Sequence, residues 1–256
     1  MEFKIESIAK TDVGKKRTIN EDAYLDLNNS SLFVVADGMG GHAAGEIASK
    51  MAVEIISDFV QKSHNKKITW PFGLNANYPL EANRLNNAIK LANKEIYSKA
   101  NSDFSIAGMG TTIVAMIIRD GVAYLAHVGD SRAYLIRNSS IKRLTADHSW
   151  VEDQIKAGNL TEDEAKQHPM RNVITRALGT HETVEVDHLL HHSNAGDYFI
   201  LCSDGLTTHL NDSEILQALH KHDGMLANVV DFLIAEANLK GGEDNITVLI
   251  VHLEKK

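Results

Sequence analysis

Cysteine occurs once in the 256 residues and proline three times, and no apolar run approaches the length of a membrane span. Each shortage excludes something. A single thiol, Cys202, cannot close an internal disulfide, so the fold does not depend on an oxidising compartment. The longest uninterrupted apolar stretches, such as Ile113 to Ile118, fall far short of the ~18 residues a spanning helix requires. Glu2, Lys4 and Glu6 stand where a signal peptide would be apolar. With 17 glycines, 43% hydrophobic and 23% charged residues, the composition is neither collagen-like nor disordered and can fill a core. The 26 Lys+Arg against 34 Asp+Glu leave a net charge of -8, which disfavours non-specific binding to nucleic acid or an anionic membrane. These features predict a cytoplasmic monomer with no nucleic-acid or membrane partner, long enough for one large domain or two small ones.

What is present reads as blocks of strand and helix. Leu32 to Ala36 is a β-branched and aromatic run ending at Asp37, and the GMGGHAAGE that follows is a glycine-rich turn. From Ala43 to about Val60, Ile47, Met51, Ile55 and Phe59 recur at helical spacing and predict the core stripe of an amphipathic helix. Leu85, Ile89, Ala92 and Ile96 mark a second helix, and the polar segment between the two, with Pro71, Gly73 and Pro79, reads as a surface connection. Thr111 to Ile118, Val122 to Val128, Ala133 to Ile136 and Ile141 to Leu144 are joined by turns too short for a helical crossover, which makes an antiparallel meander. Asp147 to Thr175 is polar with short helical pieces. Trp150, Val151 and Ile155 share a face, Gly158 suits a helix end, and Thr161 with Glu164 forms a capping-box pattern. Strands at Val184 to Leu190 and Tyr198 to Leu201, helices near Asp212 to Lys221 and Met225 to Asn238, and a last strand at Ile246 to His252 complete an α+β layered sandwich.

The informative residues are aspartates that end strands. Asp37 follows FVVA, Asp130 follows AHVG, Asp204 follows FILCS, and Asp244 sits in GGEDN before ITVLIV. Each lies beside glycine or a small residue, so the backbone can approach a shared centre. Crowded carboxylates repel unless protonated or neutralised, and hard divalent cations with oxygen ligands are the usual neutraliser. Any one Asp-Gly pair is an ordinary turn; the set together is not. With one cysteine and scattered histidines there is no closed zinc set, so magnesium or manganese suits these ligands better.

The same segments carry a resemblance. Gly14 to Asp22 (GKKRTINED), VVADGMGGHAAGE, GMGTT at 108 to 112, AHVGDSRAYL at 126 to 135, LTADHS at 144 to 149, ITRALG at 174 to 179, LCSDGL at 201 to 206 and GGEDNITV at 241 to 248 resemble, in order, the motifs of metal-dependent serine/threonine protein phosphatases of the 2C type, in the form of the bacterial branch. The resemblance implies a four-layer αββα sandwich, two central antiparallel sheets flanked by helices, in a single catalytic domain spanning 1–256 with a flap-like excursion at about 147–175. It implies that Asp37 bridges two Mn2+ or Mg2+ ions, that the Gly38 carbonyl binds the first, that Asp204 and Asp244 bind the second, and that Asp130 shares a third, weaker ion with Asp204. Glu21 and Asp22 resemble outer residues holding metal-bound waters, Arg17 the phosphate-binding arginine, and His42 the acid that protonates the leaving oxygen. The implied reaction is attack by a metal-bridging water on phosphoserine or phosphothreonine in a protein, opposing a bacterial Ser/Thr kinase.

Each feature also has a plainer reading. One of 13 histidines is ordinarily a surface residue, Arg17 in KKR could be a solvated basic patch, and Cys202 reads as a buried strand residue. A cysteine phosphatase would need an arginine six positions on, where Thr208 stands. Gly38 to Ala43 also fits the dinucleotide fingerprint G-x-G-x-x-A, although Asp37 would repel a pyrophosphate there. A catalytically inactive phosphatase-like binding module is the other alternative, opposed by the retained Asp37, Asp204, Asp244 and Arg17.

Overall fold

The run Leu32–Ala36 is apolar at every position because both faces of its strand are covered. In the computed structural model, which describes residues 3–40, 44–64 and 68–256, the elements are β1 (Phe3–Asp12), β2 (Asp22–Leu27), β3 (Leu32–Met39), α1 (Ala44–Ser63), α2 (Leu80–Ser102), β4 (Gly110–Thr111), β5 (Ile113–Arg119), β6 (Val122–Val128), β7 (Arg132–Arg137), β8 (Ser140–Arg143), α3 (Trp150–Lys156), α4 (Glu162–Gln167), β9 (Asp187–His192), β10 (Tyr198–Cys202), α5 (Asp204–Thr207), α6 (Asp212–Lys221), α7 (Leu226–Leu239) and β11 (Ile246–Lys255). One sheet has the order β1-β11-β10-β7-β8. The other runs β2-β3-β5-β6-β9, with β4 added to β3. Every ladder is antiparallel.

Strand period sorts the apolar residues into three cores. Along β3, Leu32, Val34 and Ala36 pack with α1 and α2, while Phe33 and Val35 point the other way, against Phe199, Leu201, Leu249 and Val251 of the facing sheet. A third core joins Ile200, Val248 and Ile250 to α6 and α7. Three cores separate four layers, so the expected αββα sandwich is the observed fold. Each fully buried side chain of this size contributes about 1.5–3 kcal/mol, which makes the sheets a rigid frame for whatever their ends carry.

Four details differ from the sequence reading. On α1 the residues turned into the core are Ala48, Ala52, Ile56 and Phe59, while Ile47, Met51 and Ile55 are only partly buried. Small residues face the sheet because the helix lies close to it, so the larger side chains are displaced to the flank. The strand expected at Val184 to Leu190 is found at Asp187–His192, since Val184 and Val186 serve the α2 core from irregular backbone instead of a ladder. β1 and β2 are additional strands, and α2 is longer than its apolar marks. The region Asp147 to Thr175 lies between β8 and β9 and carries α3 and α4. Trp150 N donates to Val173 O (2.8 Å) and Thr175 N to His148 O (2.8 Å), closing its base, and Thr161 and Glu164 form the expected capping box on α4. The dinucleotide alternative fails on topology: α1 leads into α2, with no second parallel strand after it.

Candidate metal centre

The register of β2 on β3 sets Asp22 opposite Asp37. Two acids thus share one sheet end. The Asp37 carbonyl accepts from Thr112 N (2.8 Å) and Thr111 Oγ1 (2.8 Å), which fixes the strand end. Its carboxyl lies near enough to that of Asp204, the first residue of α5, for the Asp204 charge to raise it.

Close backbone approach brings the remaining acids in. A Cβ on Gly38 would lie 2.1 Å from Gly45 O and 2.5 Å from Glu21 O, so only glycine lets β3 pass between the start of α1 and residue 21. A Cβ on Gly205 would lie 2.0 Å from Asn245 O, which is how the Asp204 turn and the Asp244 loop come together. Asn245 then ties three segments: its Oδ1 accepts from Glu21 N (2.7 Å), and its Nδ2 donates to Val13 O (2.9 Å) and Ile19 O (3.0 Å). Asp22 is held from below, where Oδ2 accepts from Ser203 Oγ (2.7 Å) and Thr247 Oγ1 (2.6 Å). Asp130 follows β6, in a loop fixed by His148, whose ring Nδ1 accepts from Gly129 N (3.0 Å) and whose backbone N–H donates to Gly129 O (3.0 Å).

This much negative charge is not stable by itself. Burial, reinforced by Asp22, Asp204, Asp130 and Asp244, holds the Asp37 carboxyl well above the usual carboxylate range. Burial and then Asp244 raise Asp204, and burial raises Glu21. Burial pushes Asp22 up to about 7 despite its two hydroxyl donors, and burial with Asp204 and Asp147 nearby pushes Asp130 up to about 8. Among the described residues, Glu21 Oε1, Asp22 Oδ1, Asp130 Oδ1 and Asp204 Oδ1 are buried with no hydrogen-bond partner. Unpaired buried oxygens are costly, and oxygen-only donors with this charge fit hard divalent cations such as Mg2+ or Mn2+. A second group, His127, His148 and Asp187, has ligand atoms within 4.8 Å of one another. It suits a cation poorly, because Gly129 N occupies His148 Nδ1 and the Arg176 guanidinium sits 2.7 Å from Asp187 Oδ1.

The structure therefore gathers Glu21, Asp22, Asp37, Asp130, Asp204 and Asp244 at one end of the two sheets, with Gly38 beside them on β3. Arg17 Nη2 donates to Asp244 Oδ2 (2.7 Å), and Asp244 Oδ1 accepts from Asn245 N (2.8 Å), so both oxygens of that acid are engaged. His42 lies outside the described residues. The supporting residues Asn245, Ser203 and Thr247 were not singled out from sequence. The signal available was polar type at buried positions next to apolar strand residues.

The titration has a measurable consequence. Without metal, the folded chain keeps protons on Asp22 and Asp130 up to about 7 and about 8, whereas unfolded carboxylates lose theirs near roughly 4. The metal-free fold thus binds more protons in that interval and loses stability as pH rises through it. A cation displaces those protons. The gain in melting temperature on adding Mn2+ is expected to be small near pH 6 and to grow toward pH 8, and the buried neutral histidines, common to both forms, drop out of the difference. A gain that stays flat over this interval contradicts the assignment.

Comparison with known proteins agrees with this geometry. The family model described as protein phosphatase 2C matches residues 14–240. The chain is 39% identical over 250 residues to the serine/threonine phosphatase stp of Listeria monocytogenes, covering 94% of this chain and 93% of that protein. It is 38% identical over 253 residues to the protein phosphatase PhpP of Streptococcus pneumoniae, covering 96% of each. The crystal structure of the Mycobacterium tuberculosis serine/threonine phosphatase PstP/Ppp superposes with a TM-score of 0.86 at 34% identity, covering 98% of this chain and 99% of that one. A catalytic domain of PstP in complex with two manganese ions gives a TM-score of 0.84 at 32% identity, covering 99% and 100%. With its fold, its ordered motifs and its carboxylate cluster all in agreement, the chain belongs to the protein phosphatase 2C family.

Proposed function

We propose that Asp37, Gly38, Asp204 and Asp244 hold two divalent cations, that Asp130 with Asp204 offers a third position, and that Glu21 and Asp22 orient the water around them. The activity is that of a Mn- or Mg-dependent serine/threonine protein phosphatase, a phosphoric monoester hydrolase acting on phosphoserine and phosphothreonine. The observation that carries the residue assignment is the meeting of Glu21, Asp22, Asp37, Asp130, Asp204 and Asp244 at one end of the sheets, where buried oxygens of Glu21, Asp22, Asp130 and Asp204 have no partner. Cations bound there supply a nucleophilic water at neutral pH and stabilise charge on the phosphoryl oxygens. The chain's own part is to place them and to hold the ester. Arg17 is half-exposed, and its hydrogen bond to Asp244 leaves further guanidinium N–H groups for two phosphate oxygens in a fork. The Asp22 carboxylate, braced by Ser203 and Thr247, keeps one oxygen free to orient water. Phosphate release from a phosphothreonine peptide in Mn2+ tests the reading, and a peptide left intact at saturating metal overturns it.

His42 is assigned the proton donor to the leaving serine or threonine oxygen on the strength of its place in the glycine-rich turn. That oxygen leaves as a poor alkoxide, so an acid there is worth about 10²- to 10⁴-fold. His42→Ala is expected to slow aryl phosphates with poor leaving groups far more than those with good ones. Equal slowing across a leaving-group series removes His42 from the role. The substrates are expected to be proteins phosphorylated by a bacterial Ser/Thr kinase, in keeping with relatives that are themselves called serine/threonine phosphatases.

A further inference from the structure

Strand β9 is the last in its sheet, bonded to β6 on one side and to no other strand among the described residues. Such an edge offers unpaired N–H and C=O groups as a template for another chain. Its far end is closed, because Arg137 Nη2 donates to His192 O (2.8 Å). Its near end lies on the side of the metal centre. Asp187, the first residue of β9, pairs with His127 of β6, and Asp130 lies three residues beyond His127, about 10 Å at ~3.3 Å per residue. His148 spans part of that gap: its Nδ1 accepts from Gly129 N (3.0 Å), and its Nε2 lies 3.3 Å from Asp187 Oδ2.

A cavity of about 370 Å³ lies beside the start of β9, bounded among others by Leu74, Tyr78, Asn86, Lys90, Val186 and His188. The wall opposite the strand is the connection before α2, and that loop is built rigidly. Buried Asn83 accepts from Asn75 N (2.7 Å) and donates to Asn75 O (3.0 Å) and Tyr78 O (2.9 Å). Buried Asn87 accepts from Phe72 N (3.0 Å) and donates to Gly73 O (2.9 Å). Both asparagines are on α2, one turn apart, so the helix fixes the loop. Yet the side chains the loop presents, Phe72, Leu74 and Tyr78, are exposed. Ordering a surface loop costs about 1–2 kcal/mol per residue, and holding apolar groups in solvent returns nothing until something covers them. Tyr78 leans on the His188 ring (centroids 5.1 Å apart), whose Nδ1 is buried without a partner.

We propose that the free edge of β9 and this clamped loop form a docking groove for the segment N-terminal to the phosphoresidue of a phosphoprotein substrate. The segment adds as an antiparallel strand and sets apolar side chains at alternate positions against Leu74 and Tyr78. Antiparallel addition follows the ladders of both sheets, and because β9 runs away from the metal centre, the added chain runs toward it. The phosphoresidue then reaches the centre within about three or four residues of the groove. This inference rests on the phosphatase reading above.

The test uses the Mn2+-loaded full chain with three phosphothreonine peptides: a core of about five residues, the core extended by about eight residues at its N-terminus, and the core extended equally at its C-terminus. The N-terminal extension is expected to lower KM about tenfold, the scale of burying one apolar side chain. N-methylation of alternate backbone nitrogens in that extension is expected to abolish the gain, as is the exposed pair Leu74→Asp with Tyr78→Asp. Turnover of p-nitrophenyl phosphate and of the core peptide is expected to stay unchanged in that variant. Equal KM values for core and N-extended peptides, or a gain that survives N-methylation, overturn the groove. A gain from the C-terminal extension alone overturns the antiparallel direction and with it the proposal. Loss of hydrolysis of every substrate by the unaltered chain instead strikes the phosphatase reading.

Discussion

Removing divalent cations with EDTA is expected to abolish hydrolysis of a phosphothreonine peptide, and excess Mn2+ to restore it. Asp204→Ala is expected to leave the chain folded but at least about 10³-fold slower, or ~4 kcal/mol of lost transition-state stabilisation. The reasoning starts from the metal-free charge balance. Burial raises both Asp37 and Asp204, and the neighbouring acids raise them further, Asp22 and Asp204 acting on Asp37 and Asp244 on Asp204. Deleting Asp204 therefore relieves repulsion in the metal-free fold while removing ligand oxygens from the cation site, so stability and activity should move in opposite directions. The metal-free variant should melt no lower than the metal-free parent, while its gain in melting temperature with Mn2+ shrinks. Undiminished turnover in EDTA, or in Asp204→Ala, sinks the metal assignment. Lost turnover with an unchanged Mn2+ gain would show that Asp204 acts in some way other than as a ligand.

The second large effect is expected from one methyl group. Gly38→Ala places a Cβ 2.1 Å from Gly45 O and 2.5 Å from Glu21 O, both backbone atoms that cannot rotate aside. Overpacking of this kind costs roughly 3 kcal/mol, equivalent to a fall of about 6–12 °C in melting temperature for a chain of this length. The strand that must shift carries Asp37, so turnover should fall at least about 100-fold even where the variant remains folded, since small misplacements in a site are costly. Gly108→Ala, at a glycine with nothing within 4 Å of its added Cβ but a φ of +77°, separates the two effects. It should lose about 1 kcal/mol through backbone strain and keep turnover. A Gly38→Ala protein that melts and turns over like the parent would show that β3 and α1 are not packed as described.

Several features needed no structure to be read. The meander, the two long helices that cover one sheet, the capping box at Thr161 and the buried state of Cys202 follow from local rules of period, turn chemistry and polarity, which act over a few residues. The aspartates at strand ends were legible for the same reason: each sits in its own short motif. What misled was also local. The stripe Ile47, Met51, Ile55 reads as the buried face of α1, but the closeness of the sheet selects Ala48 and Ala52 for that face, and closeness is a property of two elements. Val184 and Val186 read as strand because burial by α2 gives the same pattern as a ladder.

The sequence by itself determined which residue types the centre would contain and which chemistry they could support, because carboxylates, glycines and a guanidinium have their properties wherever they fall. Only the tertiary structure decided that they meet. Asp22 faces Asp37 through strand register, Asp204 reaches Asp244 because Gly205 lets Asn245 approach, and Glu21 is positioned by Asn245, more than two hundred residues along the chain. The same holds for the proposed groove, where a free strand edge, two buried asparagines and an exposed loop gain meaning from being side by side. Contacts of this kind depend on register and layer packing, to which local periodicity is blind.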